Sequence, residues 1–217
     1  LMGSGGQGFL QLGYHEGQFF LNAAPVPQEE MMRLIEKLIS DERAGYLLTE
    51  YVKPCKAFTT IWPKSANALR VYAIREKGEQ PKIIYTSIRF GTEKSGSVDN
   101  TLAGGVSCFV NLETGHFFDG WINEKYKQIP VKYHPDSHVL VEGDIPHWSL
   151  IKNKVIEICT FIPQIVFWGL DIVVTDDGFK IIEVNSHGTI TNKQRYIPLL
   201  KHETAREFFN EQLKRIR

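Results

Sequence analysis

Short runs of β-branched, aliphatic and aromatic residues, broken by glycine or by charge, fill most of the chain, and three stretches instead carry apolar residues at helical spacing. Residues 9–14 and 18–22 predict two short strands turned by His15-Glu16-Gly17. Residues 27–40 predict a helix, with Glu29 and Glu30 in its first turn and Met32, Leu34, Ile35, Leu38 and Ile39 on its apolar stripe. Residues 46–52 follow as a strand stopped by Pro54; Glu50 interrupts its apolar run, at an edge-strand solvent position or a ligand contact. Strands over 68–74 and 82–89 flank a charged turn at Gly78, and 106–112 with 116–121 form a hairpin on Glu113-Thr114-Gly115. Between them the polar, glycine-rich residues 91–105 offer no core and are either solvent-exposed slack or a binding loop. Residues 125–147, with Pro130, Pro135 and Pro146, read as irregular, while 148–161 and 203–216 read as amphipathic helices.

The stretch from Trp168 to Asn185 raises a question of charge. Two apolar runs, 169–175 and 179–185, flank Asp176-Asp177-Gly178, which reads as a three-residue hairpin loop with the glycine in the left-handed conformation. If Thr175 pairs with Phe179, Asp171 lies directly across from Glu183, with Asn185 two residues further along the same face. Like charges opposite one another destabilise a sheet, and a bound cation removes that penalty; carboxylate and amide oxygens are hard ligands suited to Mg²⁺. The alternative is a surface-facing Asp171, a Glu183 paired with a lysine and an Asn185 that caps the next turn. A two-residue turn would put Asp171 and Glu183 on opposite faces and end the metal reading.

With 217 residues, 42% hydrophobic and 23% charged, the chain can build one large domain or two small lobes. Basic and acidic residues balance at 25 each, so no charge excess points to nucleic acid or an acidic membrane surface. Cys55, Cys108 and Cys159 are isolated among apolar neighbours and read as buried thiols of a reducing cytoplasm. His134, His138 and His147 fit no zinc spacing and read as loop histidines. No apolar run approaches the roughly 18 residues of a membrane helix, and no signal peptide is present, so a soluble cytoplasmic protein without membrane insertion is expected. The chain opens directly into glycines at Gly3-Ser-Gly-Gly-Gln-Gly8, a phosphate-cradling loop or a linker-like terminus, and residues before Leu1 are expected to belong to the protein. Arg70 and Arg89 sit inside strands, where a guanidinium pairs with a carboxylate or faces an anion. The whole predicts an α+β fold of two lobes with mainly antiparallel sheets, a smaller one over 1–52 and a larger one over 53–217, and a cleft between them.

The order of these features resembles the ATP-grasp superfamily: a glycine-rich loop on a hairpin, a helix, a segment ending Thr-Glu-Tyr-Val52, an Asn-x-Leu-Arg strand and a late Gly-x-Asp hairpin closing in Glu-Val-Asn. More narrowly, Asn67-Ala-Leu-Arg70, Val98-Asp-Asn100 with Gly104-Gly105, His134-Pro135, Ile145-Pro-His-Trp148, and Gly169-Leu-Asp171 with Ile182-Glu-Val-Asn185 resemble the branch associated with sugar transfer and polysaccharide gene clusters. The resemblance spans nearly the whole chain.

It implies ATP bound between two α+β lobes. Gly5, Gly6 and Gly8 would belong to the phosphate loop, and Glu50, Tyr51 and Val52 to the segment that meets adenine. Asp171, Glu183 and Asn185 would hold Mg²⁺. Arg70 and Arg89 would be the catalytic cations, Arg70 facing the transferred phosphoryl group and Arg89, with Asp99 and Asn100, the acceptor. The implied chemistry is ligation of a carboxylate to an amine or similar nucleophile through an acyl-phosphate, on a small-molecule, sugar or peptide acceptor. A kinase acting on a hydroxyl and a nucleotide-binding module without turnover are the alternatives. The phosphate-contacting lysine that family members carry before the glycine loop would fall ahead of Leu1.

Overall fold

The computed structural model describes residues 10–22, 24–41, 46–76, 78–125, 127–186, 188, 194 and 198–215. The chain divides into two compact units, Leu1–Val52 and Lys53–Arg217.

In the first unit, β1 (Leu12–His15), β2 (Gln18–Leu21) and β3 (Ala24–Val26) form an antiparallel sheet in that order. Glu16 and Gly17 take φ of 48° and 83°, the paired left-handed values of a two-residue hairpin turn that closes His15 against Gln18. Tyr14 and Phe19 are cross-strand partners with ring centroids 4.9 Å apart. Helix α1 (Gln28–Ser40) follows Pro27, whose fixed φ of −60° suits a helix entry. Its inward side is Met31, buried, with half-buried Leu34, Ile35 and Leu38, while Met32 and Ile39 face solvent. The expected stripe is therefore shifted by one residue at its start and loses Ile39 at its end. Residues 46–52 form no strand, contrary to expectation. Among the described residues no neighbouring strand offers them a ladder, and Tyr46, Leu47 and Leu48 are exposed.

The second unit is built on an eight-stranded antiparallel sheet. Its strands are β4 (Leu69–Ile74), β5 (Lys82–Phe90), β6 (Val106–Val110), β7 (His116–Glu124), β8 (Lys127–Pro130), β9 (Gly143–Asp144), β10 (Phe167–Thr175) and β11 (Gly178–Asn185). They run in the order β11-β10-β4-β5-β6-β7-β8, with β9 pairing β7 as a branch. Three helices complete the unit: α2 (Lys56–Ile61), α3 (Trp148–Phe161) and α4 (Glu203–Lys214).

Strand alternation gives the sheet two unlike faces. One is the main core: Leu69, Val71, Ile88, Cys108, Leu170 and Ile172, all fully buried, pack with Phe58 of α2 and Ile151, Val155 and Cys159 of α3. Phe58 meets Phe90 and Phe117 edge-on, at 88° and 84°. At one end of the other face a smaller cluster, Tyr72, Ile74 and Ile84, packs with Leu199 in the 3-10 turn before α4 and with Ala205 and Phe208 of α4.

Helix α2, absent from the sequence reading, is tied at its N-terminus to the late hairpin. Cys55 N–H donates to Val174 O at 2.7 Å and Lys56 N–H to Asp176 Oδ1 at 2.8 Å. The region read as irregular contains β8, β9 and a bridge between Tyr133 and Leu140. Burial raises the thiols of Cys55, Cys108 and Cys159, the last to about 12, which keeps them protonated and unreactive. Among the described residues no helix is long and apolar enough to cross a membrane.

Candidate functional site

The hairpin β10–β11 closes differently from expectation and still delivers the expected pair. Thr175 pairs with Gly178, so the turn has two residues, Asp176 and Asp177. The Asp176 carboxylate is held by Lys56 N–H, and His147 Nε2 lies 3.1 Å from Asp176 O, so contacts from α2 and from the entrance of α3 fix the turn. The register that starts there matches Ile172 with Ile181 and would set Asp171 opposite Ile182. It shifts at that point: Asp171 pairs with Glu183, and Ile182 is the extra residue of a β-bulge, 51% exposed. Beyond the bulge Gly169 pairs with Asn185. Turn and bulge each displace the register by one residue, and together they return both carboxylates to one face.

On its other side Asp171 pairs with Arg70 of β4, and Arg70 pairs with Ser87 of β5. Glu183, Asp171, Arg70 and Ser87 thus form one row across four strands. Arg70 grips Asp171 with a planar fork: Nε donates to Oδ1 at 2.5 Å and Nη2 to Oδ2 at 2.6 Å. Arg89, two residues beyond Ser87 on the same face, donates from Nη2 to Asp171 Oδ1 at 3.1 Å and lies 3.5 Å from Asp99 Oδ1. Asp99 also accepts from Ala68 N–H, which ties the loop 91–105 to the start of β4. The side chain of Asp171 is 5% exposed and those of Arg70, Arg89 and Asp99 between 12% and 17%, so the charges interact with little screening by water.

The titrations follow this geometry. Burial works against the Arg70 charge, yet the hydrogen bonds and charge of Asp171 hold that guanidinium above its ordinary range. Burial, then the adjacent Asp171 carboxylate, pushes Glu183 up. Burial also pushes Asp99 up, against the pull of Arg89 and of Ala68 N–H. Two guanidiniums face three carboxylates, which leaves one formal negative charge, and among the described contacts Glu183 is the one of the three with no arginine ion pair.

This donor set fits a hard divalent cation at one corner. Asp171 Oδ1 already accepts from both arginines and Oδ2 from one, so Asp171 offers a single remaining lone pair. Glu183 contributes a carboxylate, and Asn185, whose Nδ2 donates to Gly169 O at 3.4 Å, keeps its amide oxygen. Among the described residues no group of three or more His, Cys, Asp or Glu side chains gathers to hold a metal, so a cation here would rely on two carboxylates, one amide and ligands of its own.

The remaining predicted site residues are dispersed or used in structure. Gly5, Gly6 and Gly8 lie outside the described residues. Glu50 and Tyr51 are exposed and Val52 half-buried, at the end of the first unit. Asn100 Oδ1 accepts from Leu102 N–H and caps the 3-10 turn Thr101–Ala103. Asn67, buried at φ 49°, donates to Trp62 O at 2.6 Å, and His134 stacks on Trp62 with a ring nitrogen 2.7 Å from Gly91 O. Burial lowers the His134 pKa, so the ring is neutral scaffold. Trp148 donates to Leu112 O and packs over Gly115, whose φ of 81° and close approach leave no room for a side chain.

One contributor escaped the sequence reading. Tyr72 borders Arg70, with its hydroxyl 3.5 Å from Nη1 and its ring 6.0 Å from the guanidinium carbon. Asp99, expected beside the acceptor, is held within the cluster by Ala68 N–H and Arg89. The spacing of aromatic and charged residues on β4 carried the only available hint of Tyr72, and nothing local signalled the contact of Asp99 with Ala68.

A family model described as sugar-transfer associated ATP-grasp matches residues 1–201 of the 217. Comparisons with curated proteins and with solved structures returned no match.

Proposed function

The chain belongs to the sugar-transfer associated ATP-grasp family, and from that premise we propose that it is an ATP- and Mg²⁺-dependent ligase joining a carboxylate to an amine or similar nucleophile. Membership makes it an ATP-binding enzyme of the ATP-grasp type. The observation that carries the finer reading is the row Glu183–Asp171–Arg70 with Arg89 beside it. Cation ligands and phosphate-binding donors share one face of a rigid sheet.

In this reading Glu183, Asn185 and the last lone pair of Asp171 hold Mg²⁺, which offsets phosphate charge when bound. Asp171 locks the Arg70 guanidinium in place through Nε and Nη2, and Nη1, which reaches the Tyr72 hydroxyl with one hydrogen, keeps the other to meet an anion. Arg89 is aimed by Asp171 and Asp99 in the same way. The residues therefore orient and neutralise, and none acts as a proton carrier. ATP supplies the phosphoryl group that activates the carboxylate as an acyl-phosphate, as in other phosphoryl transfers where positioning and charge dominate. The glycine loop and Glu50 to Val52 would serve the nucleotide from the first unit. Cytoplasmic polysaccharide or cell-surface metabolism is the setting we propose.

The test is ADP release by the full chain with Mg-ATP and a carboxylate–amine pair, followed by mass analysis of the products. A joined product whose formation stops in Arg70→Ala and in Glu183→Ala is expected. A stable phosphorylated alcohol without joining would make the protein a kinase. Joining that persists in both variants would remove this site from the chemistry.

A further inference from the structure

Asp171 holds Arg70 at two points, Nε and Nη2, which lie on one edge of the guanidinium. Two points define a line, and the guanidinium plane can still pivot about it until a contact off that line removes the freedom. Nη1 makes such a contact: it donates to the Tyr72 hydroxyl at 3.5 Å, and the Tyr72 ring lies 6.0 Å from the guanidinium carbon.

The ring that carries this hydroxyl is itself held. Tyr72 faces Gly169 across the β4–β10 ladder, stacks on Phe167 with centroids 5.8 Å apart and planes at 24°, and meets Tyr85 at 5.9 Å. The backbone of Gly188 comes so close that a Cβ there would collide with the Tyr72 ring, and Leu199, Ala205 and Phe208 complete the cluster. Tyr72 is 2% exposed, so it bears on Arg70 and not on a ligand. Burial also pushes its phenol above the ordinary range, which keeps it a neutral acceptor that leaves the guanidinium charge for an anion.

We propose that Tyr72 is the positioning residue of Arg70: it takes one Nη1 hydrogen and thereby aims the other at the transferred phosphoryl group, a role that rests on the reading of Arg70 as the cation that meets that group. Packing alone asks only for the ring. A phenylalanine would lie on Phe167 and beside Gly188 equally well, whereas burying a hydroxyl costs stability that its bond to Nη1 offsets in part. The fork to Asp171 and the bond to Tyr72 bracket the guanidinium from opposite sides, so its plane is set before an anion arrives.

Tyr72→Phe in the full chain tests this, because it keeps the ring and removes the hydroxyl. Heteronuclear NMR of the arginine side chains needs no turnover, and the Arg70 signals are those absent from Arg70→Lys. The wild type is expected to show a resolved Nη1 amino group, and Tyr72→Phe a broadened Nη1 beside an unchanged Nη2 that Asp171 still holds. Tripolyphosphate, the phosphate chain of ATP without its nucleoside, is expected to shift the wild-type Nη1 signal, and that shift is lost in Tyr72→Phe. In ADP release with Mg-ATP, kcat of Tyr72→Phe is expected to fall about tenfold with KM for ATP maintained, the pattern of an interaction made in the transition state. Nη1 signals that are the same in wild type and Tyr72→Phe would overturn the assignment, and so would a lower melting temperature with kcat unchanged, which would make Tyr72 a packing residue. Absence of ADP release from the wild type would remove the ligase reading alone, since the NMR comparison decides the role of Tyr72 with or without turnover.

Discussion

The two faces of the large sheet are made by the same strands and obey opposite rules. Leu69, Val71, Leu170 and Ile172 alternate with Arg70, Tyr72 and Asp171 along β4 and β10. The first set is dry, interchangeable hydrocarbon packed under α2 and α3. The second is a set of charges whose burial must be offset partner by partner. Hydrocarbon of similar volume would hold the sheet together as well on either face. Under the proposed function, the charged row is a cost in stability retained for what it would bind.

The largest expected effect breaks one partner. Asp171→Ala leaves Arg70 and Arg89 facing an empty position and should cost about 3–5 kcal/mol in urea unfolding. Replacing the fork by hydrocarbon, Arg70→Met with Asp171→Leu, should recover most of that loss, because Arg89 retains Asp99, while ADP release stays absent. On the dry face Ile88→Val should cost about 0.5–1.5 kcal/mol and leave the response to Mg-ATP unchanged. A loss of Mg-ATP response there would mean that the faces are not independent.

Much of this contrast was legible in the sequence, because period-two alternation carries it: the hairpins at Gly78 and at Glu113 to Gly115, helix α3, and the pairing of Asp171 with Glu183 were all expected. The route to that pairing was not. A two-residue turn and a bulge replace the three-residue loop, and two adjacent isoleucines, Ile181 and Ile182, give no sign of which one the ladder skips. Strands β3, β8 and β9 and helix α2 span from two to six residues, too short for periodicity to register. The fork between Arg70 and Asp171 joins positions 101 apart, and Asp99 reaches Ala68 across 31. No local pattern encodes such contacts. The expected strand over 46–52 shows the opposite failure, where apolar character alone did not supply a ladder.

Smaller effects concern protons. Glu183 is held above its ordinary 4.5, so the folded chain keeps a proton that the unfolded chain has released. Stability from this group is complete below 4.5 and is lost as pH rises through the raised value. Over the same interval the stabilisation by Mg²⁺ should grow, because the cation takes the deprotonated carboxylate. Melting curves from acidic to neutral pH, with and without MgCl₂, should show both trends in the wild type and neither in Glu183→Gln. The smallest effect lies far from the row. Asp144, 2.9 Å from the His116 ring, raises that half-buried histidine, and Asp144→Asn should lower its pKa by NMR titration while changing stability by less than about 1 kcal/mol.

The central claim is that Glu183 and Asn185 hold the cation that accompanies ATP on the charged face. Calorimetric titration of ATP into the wild-type chain and into Glu183→Gln, each with and without Mg²⁺, tests it most directly. The account predicts that Mg²⁺ strengthens ATP binding in the wild type and that Glu183→Gln abolishes this gain while its melting temperature without ligand is maintained. Equal strengthening by Mg²⁺ in both proteins would contradict it.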